Sequence, residues 1–141
     1  MNIAHFLKPK QQVAFLYDTY TLRQALEKMK HHGYTAIPVI TRDGKYVGTV
    51  GEGDFLWYLV RGEGGESLKQ IDIRDAESMP LRDLPFAGRY EPVSIAATVE
   101  QLMDKATSQN FVPVVDDLGS FIGIVTRQDI LRYFYQKYNK Q

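Results

Sequence analysis

The chain has 141 residues, 44% of them hydrophobic and 24% charged, which suits one globular domain or two small halves with a shared core. Seventeen basic and seventeen acidic residues cancel, so no global field favours nucleic acid or an anionic membrane. Cysteine is absent, which excludes disulfides, thiolate catalysis and cysteine-based metal sites. The opening residues, MNIAHFLKPKQQ, lack the apolar core of a signal peptide, and no apolar run approaches the length that crosses a membrane. We therefore expect a soluble, cytoplasmic protein.

The first half of the chain predicts a helix followed by a hairpin and a second helix. The capping box Thr21-Leu-Arg-Gln24 marks the start of the first helix, and its apolar positions 22, 25, 26 and 29 have helical spacing. Two short apolar strands, AIPVI and YVGTV, flank a turn at Asp43-Gly44 and predict a hairpin. A closing helix is expected to begin near Asp54.

A connector then leads into the second half. The glycine-rich, charged stretch RGEGGESLKQ (61–70) predicts a flexible linker, because its glycine spacing fits neither standard phosphate-binding fingerprint. Residues 81–95 contain two prolines and are expected to be irregular. The resulting organisation is a first repeat over 1–60, a linker over 61–78 and a second repeat over 79–141.

The second half repeats the pattern of the first. A shift of 75 positions aligns residues 36–59 with 111–134, and eight of the 24 aligned pairs are identical, including two glycines. A capping box Thr98-Val-Glu-Gln101 precedes helical spacing at 99, 102, 103 and 106. The strands FVPVV and FIGIV flank Leu118-Gly119, and a closing helix begins near Asp129. The duplication predicts two equivalent halves, each β-α-β-β-α.

The pair Thr126-x-x-Asp129 at the start of the last helix admits two interpretations. It is a good helix cap, worth roughly 1 kcal/mol for the Thr. A helix start with free amides is also an anion site, so the same residues can hold a ligand. Arg127 beside them can form a bidentate phosphate contact or lie in solvent. The two functions of Thr126 and Asp129 are compatible.

The sequence gives little support for a metal site or for catalysis. His31 and His32 are adjacent and point about 100° apart on a helix, while His5 is remote, so no metal site is expected. No serine has a recognisable nucleophile context, and we expect no enzymatic activity. The aromatic runs FLWYL (55–59) and LRYFYQKY (131–138) exceed what one core can take, which favours an interface; packing within the monomer is the alternative.

Two β-α-β-β-α units with Pro-Val in the first hairpin strand, Gly-x-Val in the second and an Asp at the last helix resemble a pair of CBS domains. The resemblance implies an α+β, sandwich-like fold of two pseudo-symmetric repeats packed through their sheets, with clefts for AMP, ADP, ATP, S-adenosylmethionine or cyclic di-AMP. It also implies that the Thr contacts phosphate or ribose and that the Asp accepts hydrogen bonds from ribose hydroxyls. Thr126 and Asp129 match this motif, whereas the first repeat has Gly51 in place of the hydroxyl and retains Asp54.

A narrower resemblance concerns QVAFL (12–16) and GYTAIPV (33–39), which look like segments of small bacterial CBS-pair proteins that bind cyclic di-AMP. It implies an adenine pocket and a phosphate grip by Thr126-Arg127. The chain departs from these proteins at Gln12, where a basic residue would help to hold an anion, and Asp129 is typical of sites for linear nucleotides. The implied ligand-binding residues are Ala14, Leu16, Tyr34, Ala36, Ile37, Pro38, Thr126, Arg127 and Asp129, and a possible second site has Asp54, Val93, Ile95, Val112 and Pro113.

The function that follows is a regulatory sensor with an adenine nucleotide as its ligand and no obligatory cofactor. We expect a homodimer that signals to a separate effector protein. Two alternatives stay open: a structural or protein-interaction module without ligand, and a module that binds S-adenosylmethionine.

Overall fold

The computed structural model of the chain describes residues 2–61, 73–84 and 90–139. They divide into two compact units, Met1–Val13 with Tyr90–Gln141 and Ala14–Arg89, called here the second-repeat unit and the first-repeat unit. Residues 62–70 of the predicted linker (61–70) lie outside the described residues. The elements in chain order are β1 (Lys8–Pro9), β2 (Leu16–Tyr17), α1 (Leu22–His32), β3 (Ala36–Ile40), β4 (Tyr46–Gly51), α2 (Glu52–Arg61), α3 (Ile73–Glu77), β5 (Val93–Ser94), α4 (Val99–Ala106), β6 (Phe111–Val115), β7 (Phe121–Thr126) and α5 (Arg127–Asn139).

The first-repeat unit is built around a three-stranded sheet in the order β2-β3-β4. β2 runs parallel to β3, and β3 pairs antiparallel with β4 through the predicted hairpin. Its turn contains Gly44 in the left-handed region at φ 92°. The predicted capping box begins α1: the Gln24 amide donates to Thr21 Oγ1 at 3.2 Å, and the Thr21 amide donates to Gln24 Oε1 at 2.9 Å. The local sequence thus determined both the hairpin and the helix start.

The core of the first-repeat unit extends into residues that follow α3. The Leu81 amide donates to the Tyr20 carbonyl at 2.8 Å, and the Leu22 amide donates to the Met79 carbonyl at 2.9 Å. These bonds hold residues 79–84 against the start of α1. The buried side chains of this core are Leu16, Leu22, Ala25, Met29, Ile37, Val39, Val50, Phe55, Tyr58, Leu81 and Leu84.

The second-repeat unit contains a four-stranded sheet in the order β1-β7-β6-β5. β5 is parallel to β6, β6 and β7 form the second hairpin, and the capping box at Thr98 and Gln101 begins α4. The edge strand β1 comes from the N-terminal segment and pairs antiparallel with β7, with Lys8 opposite Ile124 and Pro9 opposite Gly123. Residues 3 and 6 of that segment are buried in the core of this unit, which consists of Ile3, Phe6, Val93, Leu102, Val112, Val114, Val125 and Ile130.

The predicted α+β fold of two repeats is confirmed. The two repeats are β2-α1-β3-β4-α2 and β5-α4-β6-β7-α5, in a mixed α+β architecture. Strand β1 and the short helix α3, which lies within the predicted linker 61–78, are additions that the repeat pattern did not predict. Across the described ranges, none of the helices has the length and apolar character required to cross a membrane.

Candidate ligand site

The start of α5 holds the carboxylate of Asp129, one of whose oxygens has no hydrogen-bond partner among the described residues. The Asp129 amide donates to Thr126 Oγ1 at 3.0 Å, so the predicted cap is confirmed. The Asp129 side chain is 20% exposed, and its Oδ1 lies 4.0 Å from Arg132 Nη1. Its Oδ2 is buried and has no hydrogen-bond partner among the described residues. A buried acceptor without a donor costs about 1–3 kcal/mol, so a ligand that donates a hydrogen bond to this oxygen would remove that cost.

Asp129 opens into a cavity of about 340 Å³ that lies within the second-repeat unit. One wall is the N-terminal segment and the other is one face of α5. Phe6 fixes the two walls together, because its ring packs edge-on against Tyr133 with ring centroids 4.9 Å apart. The lining residues are His5, Phe6, Leu7, Lys8, Gln12, Asp129, Arg132, Tyr133 and Gln136.

Gly123 in β7 allows the N-terminal segment, which forms one wall of the cavity, to lie close to β7. A Cβ at this position would lie 2.2 Å from the Lys8 carbonyl oxygen and 2.9 Å from Leu7 Cδ1. Those distances are below any real carbon contact, so β1 can pair with β7 only opposite a glycine. Gly123 aligns with Gly48 in the internal repeat. In the second repeat, this glycine is therefore needed for β1 to pair with β7.

The cavity carries more positive than negative charge. Lys8 and Arg132 contribute two cationic side chains against the single carboxylate of Asp129, and His5 adds an imidazole. Among the described residues, the only ion pair in this group joins Arg132 and Asp129 at 4.0 Å, beyond hydrogen-bonding distance. Such a cavity can bind a ligand that brings hydroxyl donors to Asp129 and an anionic group to the cations.

Arg127 is close in sequence to Asp129, but its guanidinium donates hydrogen bonds to residues at and after the end of α4. Its Nε donates to the Ala106 carbonyl at 2.7 Å and its Nη2 to the Thr107 carbonyl at 3.2 Å. Its Nη1 donates to Asn110 Oδ1 at 3.3 Å. The side chain thus satisfies carbonyls at the C-terminus of α4, where a cation is also favoured by the helix dipole.

The residues implied for the adenine pocket lie together in the first-repeat unit, on or beside the neighbouring strands β2 and β3. Leu16 and Ile37 are fully buried core residues. Tyr34 is 43% exposed, and its ring stacks on His32 with centroids 5.3 Å apart and an 18° interplanar angle. Pro38 is buried, and Ala14 and Ala36 are half-buried. Thr126, Arg127 and Asp129 belong to the second-repeat unit.

The residues of the possible second site are mostly buried or hydrogen-bonded within the protein. Asp54 Oδ2 accepts a hydrogen bond from the Gly51 amide at 2.7 Å, so this carboxylate braces the start of α2. Asp54 and Asp129 occupy equivalent repeat positions, yet among the described residues only the second has a buried oxygen without a donor. Val93, Val112 and Pro113 are buried, and Ile95 is half-buried.

Sequence reasoning missed the N-terminal contribution to the site. Arg132 could have been found, since it follows Asp129 by one helical turn and shares its face. His5 and Lys8 carried no such signal, because only the pairing of β1 with β7 brings them to α5.

Two duplicated α+β units, one of which has a basic cavity around the Asp129 carboxylate, define the class of the protein as a tandem-repeat module. Residues 4–61 and 77–136 match the CBS domain family. The chain belongs to this family and carries a pair of CBS domains.

Solved structures of CBS-pair proteins share this fold. The crystal structure of CbpB in complex with c-di-AMP is 27% identical with a TM-score of 0.86, and the match covers 99% of this chain and 88% of that one. CbpB from Streptococcus agalactiae is 28% identical with a TM-score of 0.82, covering 96% and 80%. CBSX2 in complex with AMP is 25% identical with a TM-score of 0.72, covering 97% and 98%.

Curated relatives are longer than this chain. The uncharacterised protein MK0525 of Methanopyrus kandleri is 29% identical over 114 residues, which cover 81% of this chain and 54% of that protein. The chain therefore spans about half the length of this relative.

Proposed function

We propose that the protein is a non-catalytic regulatory module that binds an adenine nucleotide and signals to a separate effector protein. The observation that supports this most directly is Asp129 Oδ2, a buried acceptor in a basic cavity for which the described residues provide no donor. Ribose hydroxyls are donors of the kind that this oxygen lacks. Binding would act by population shift, since a nucleotide that contacts one conformation better than another favours that conformation.

The ligands of two similar structures are candidates for the ligand of this protein. CbpB was solved with c-di-AMP and CBSX2 with AMP, so both a cyclic and a linear adenine nucleotide are candidates here. S-adenosylmethionine stays a third candidate, because it offers Asp129 the same ribose hydroxyls but lacks a phosphate. A module without ligand is the alternative function.

The test is calorimetric titration of AMP, ATP, c-di-AMP and S-adenosylmethionine into the wild type and into Asp129→Ala. We expect Asp129→Ala to weaken binding at least tenfold, because hydrogen bonds to a charged acceptor are worth about 1.5–3 kcal/mol. The melting temperature of the ligand-free protein should not fall, because the substitution removes a buried oxygen that has no donor among the described residues.

Asp54→Ala is the matched control from the first repeat. It should lower stability, since Asp54 braces the Gly51 amide. It should leave nucleotide binding at the Asp129 cavity unchanged. No heat and no thermal shift with any of the four compounds would reject nucleotide sensing in favour of an interaction module.

We further propose that the module is a homodimer that uses α5. Exposed apolar side chains recur on this helix at i, i+3, i+4 and i+7, which places them on one stripe. Leu131 is 70% exposed and Tyr138 is 78% exposed, although both are large and largely apolar. A stripe of this kind favours a partner helix with the same character, and a second copy of this chain supplies one. The stripe consists of Leu131, Phe134, Tyr135 and Tyr138.

A further inference from the structure

We infer that an aromatic and cationic surface of the first-repeat unit is a docking site for an acidic segment of the effector protein. The surface, called here the aromatic-cationic patch, consists of Phe15, Tyr17, Tyr20, Lys28 and Arg42, all of which belong to this one unit. The assignment rests on the proposed function in one respect, the existence of an effector protein, and does not depend on which nucleotide binds.

The three rings of the patch contact one another edge-on. The centroids of Phe15 and Tyr17 are 5.5 Å apart at an interplanar angle of 87°, and those of Tyr17 and Tyr20 are 5.5 Å apart at 83°. Each of the three residues is half-buried, so each keeps part of its surface in solvent. Aromatic residues and arginine are enriched where proteins bind other proteins.

Arg42 is held in place while the outer end of its guanidinium stays open. Its Nε donates to Thr19 Oγ1 at 2.9 Å, and its Cζ lies 4.2 Å from the centroid of the Tyr17 ring. The side chain is exposed, and Nη1 and Nη2 have no hydrogen-bond partner among the described residues. Two adjacent N–H groups of a fixed guanidinium match the two oxygens of a carboxylate.

Lys28 adds a second cation to the patch. Its Nζ donates to the Phe15 carbonyl at 2.8 Å and lies 5.6 Å from the Phe15 ring and 5.8 Å from the Tyr20 ring. Burial lowers the pKa of Lys28, because the charged ammonium is partly removed from water. Among the described residues, no acidic side chain forms an ion pair with Lys28 or Arg42. An acidic segment would therefore meet two cations that this part of the chain does not neutralise.

The second repeat shows that the fold does not require the three rings. Thr21 and Thr98 begin equivalent helices, and counting back from them aligns the three aromatic residues with Pro92, Ser94 and Ala97. These smaller residues line a cavity of about 520 Å³ at the corresponding place in the second-repeat unit. The same strand and helix thus form without aromatic side chains at these positions.

The charges of the two repeats differ as well. Lys28 corresponds to Lys105, whose ammonium forms an ion pair with the Glu91 carboxylate. Arg42 corresponds to Asp117 in the second hairpin, which reverses the charge. The first repeat therefore concentrates rings and unneutralised cations where the second has small residues and a neutralised lysine. Because the fold does not require this difference, it favours a role in binding.

The patch extends to the end of β3 that is remote from the tyrosine implied for the adenine pocket. Tyr34 precedes the first residue of β3, Ala36, whereas Arg42 follows its last residue, Ile40. Tyr17 pairs with Ile40 in the sheet. Five strand residues span roughly 16 Å, so a segment bound at Arg42 and Tyr17 leaves Tyr34 accessible.

Two cations suit an acidic peptide better than a nucleic acid. Nucleic-acid affinity grows with the number of phosphates neutralised, and the patch offers only two cations on a chain whose seventeen basic and seventeen acidic residues cancel. A peptide carboxylate needs only the guanidinium of Arg42 for a bidentate contact, and a neighbouring acidic residue can reach Lys28.

The experiment measures binding of a fluorescein-labelled octapeptide of glutamate to the full chain by fluorescence anisotropy at low salt. An octapeptide of glutamine and a single-stranded octanucleotide of uridine are the comparison probes. We expect the glutamate peptide to bind about tenfold more tightly than the glutamine peptide, and added salt to weaken it. Arg42→Ala and Lys28→Ala should each weaken the glutamate peptide about fivefold, and Arg42→Lys about threefold, because lysine keeps the charge but lacks the fork. Lys105→Ala, at the equivalent position of the second repeat, is the matched control and should change the affinity less than about twofold.

The remaining outcomes overturn the inference in distinguishable ways. Equal binding of the glutamate and glutamine peptides, or no binding of either, would exclude an acidic docking site. Binding that Arg42→Ala and Lys28→Ala leave unchanged would place the acidic contact outside the patch. Tighter binding of the uridine octanucleotide, lost in the same two variants, would identify a nucleic acid as the partner instead. Calorimetry with AMP and c-di-AMP separates the two proposals: absence of nucleotide binding would reject nucleotide sensing and leave the docking site standing if the glutamate peptide still binds.

Discussion

Gly123 is the residue at which a single methyl group should disturb both the fold and the ligand cavity. In Gly123→Ala, the new Cβ would lie 2.2 Å from the carbonyl oxygen of Lys8 and 2.9 Å from Leu7 Cδ1. The nearest atom belongs to the backbone, so rotation of a side chain cannot relieve the overlap. The Lys8 carbonyl must move by about 1 Å to restore van der Waals contact.

Two responses are open to the protein, and their costs decide between them. Overpacking with a shift of β1 typically costs about 1–3 kcal/mol. Detachment of the N-terminal segment would expose Ile3 and Phe6, which are buried in the core, at about 1.5–3 kcal/mol for each side chain. The shift is cheaper, so we expect β1 to remain attached but displaced. The free energy of unfolding should fall by about 2 kcal/mol, which lowers the melting temperature by roughly 4–8 °C. Because Lys8 moves away from Asp129, AMP affinity should fall as well.

The assay is urea unfolding followed by circular dichroism, together with AMP titration. Gly119→Ala is the control, since Gly119 has φ 80° and a Cβ added there would meet no atom within 4 Å. It should cost only the backbone strain of about 1–2 kcal/mol and leave AMP binding intact. If Gly123→Ala matched Gly119→Ala in both measurements, the close approach of β1 to β7 would not govern the site, and the reasoning would fail.

Three further predictions concern other parts of the chain. Arg127→Ala should lower the free energy of unfolding by about 1–2 kcal/mol in urea titrations, because the terminal carbonyls of α4 lose their donor. In the first hairpin, the Thr41 hydroxyl donates to Asp43 and lowers the pKa of that carboxyl below 3.8. The stability that this bond provides is fully present above pH 3.8 and is lost as the pH falls through the lowered pKa, so Asp43→Asn should destabilise the protein at pH 7 but not in strong acid. Leu131→Glu should convert a dimer into a monomer in sedimentation equilibrium, whereas Leu118→Glu, in an exposed turn, should not; a wild-type monomer would contradict the proposed interface.

The local elements could be predicted from the sequence because their causes are local. A capping box is a reciprocal pair of hydrogen bonds within four residues, and Gly44 and Gly119 adopt the left-handed conformation that their hairpin turns require. The internal repeat then supplied the equivalence of the two halves. Asp129 could be identified as a candidate site residue because Thr126-x-x-Asp129 stands at a helix start and matches the family motif.

Features that depend on distant contacts could not be predicted in this way. β1 has two residues, too few for a periodic pattern, and its partner Ile124 is far along the chain. The cationic wall with Lys8 was therefore invisible in the sequence. The contacts of Arg127 with α4 were equally hidden, because the same Thr-Arg pair suits a phosphate contact or a helix C-terminus.

The pairing of β1 with β7 also has a consequence for the order of folding. The second-repeat unit is discontinuous in sequence, and the first-repeat unit, Ala14–Arg89, is inserted between its two parts. Bringing Lys8 to Ile124 in an unfolded chain means closing a loop that contains the whole inserted unit, with the entropy cost that a long loop carries. Prior folding of the inserted unit replaces that long flexible loop with a compact body. We therefore expect the ligand cavity to form late in folding. It should form only after the first-repeat unit has folded, although that unit contributes no residue to the cavity.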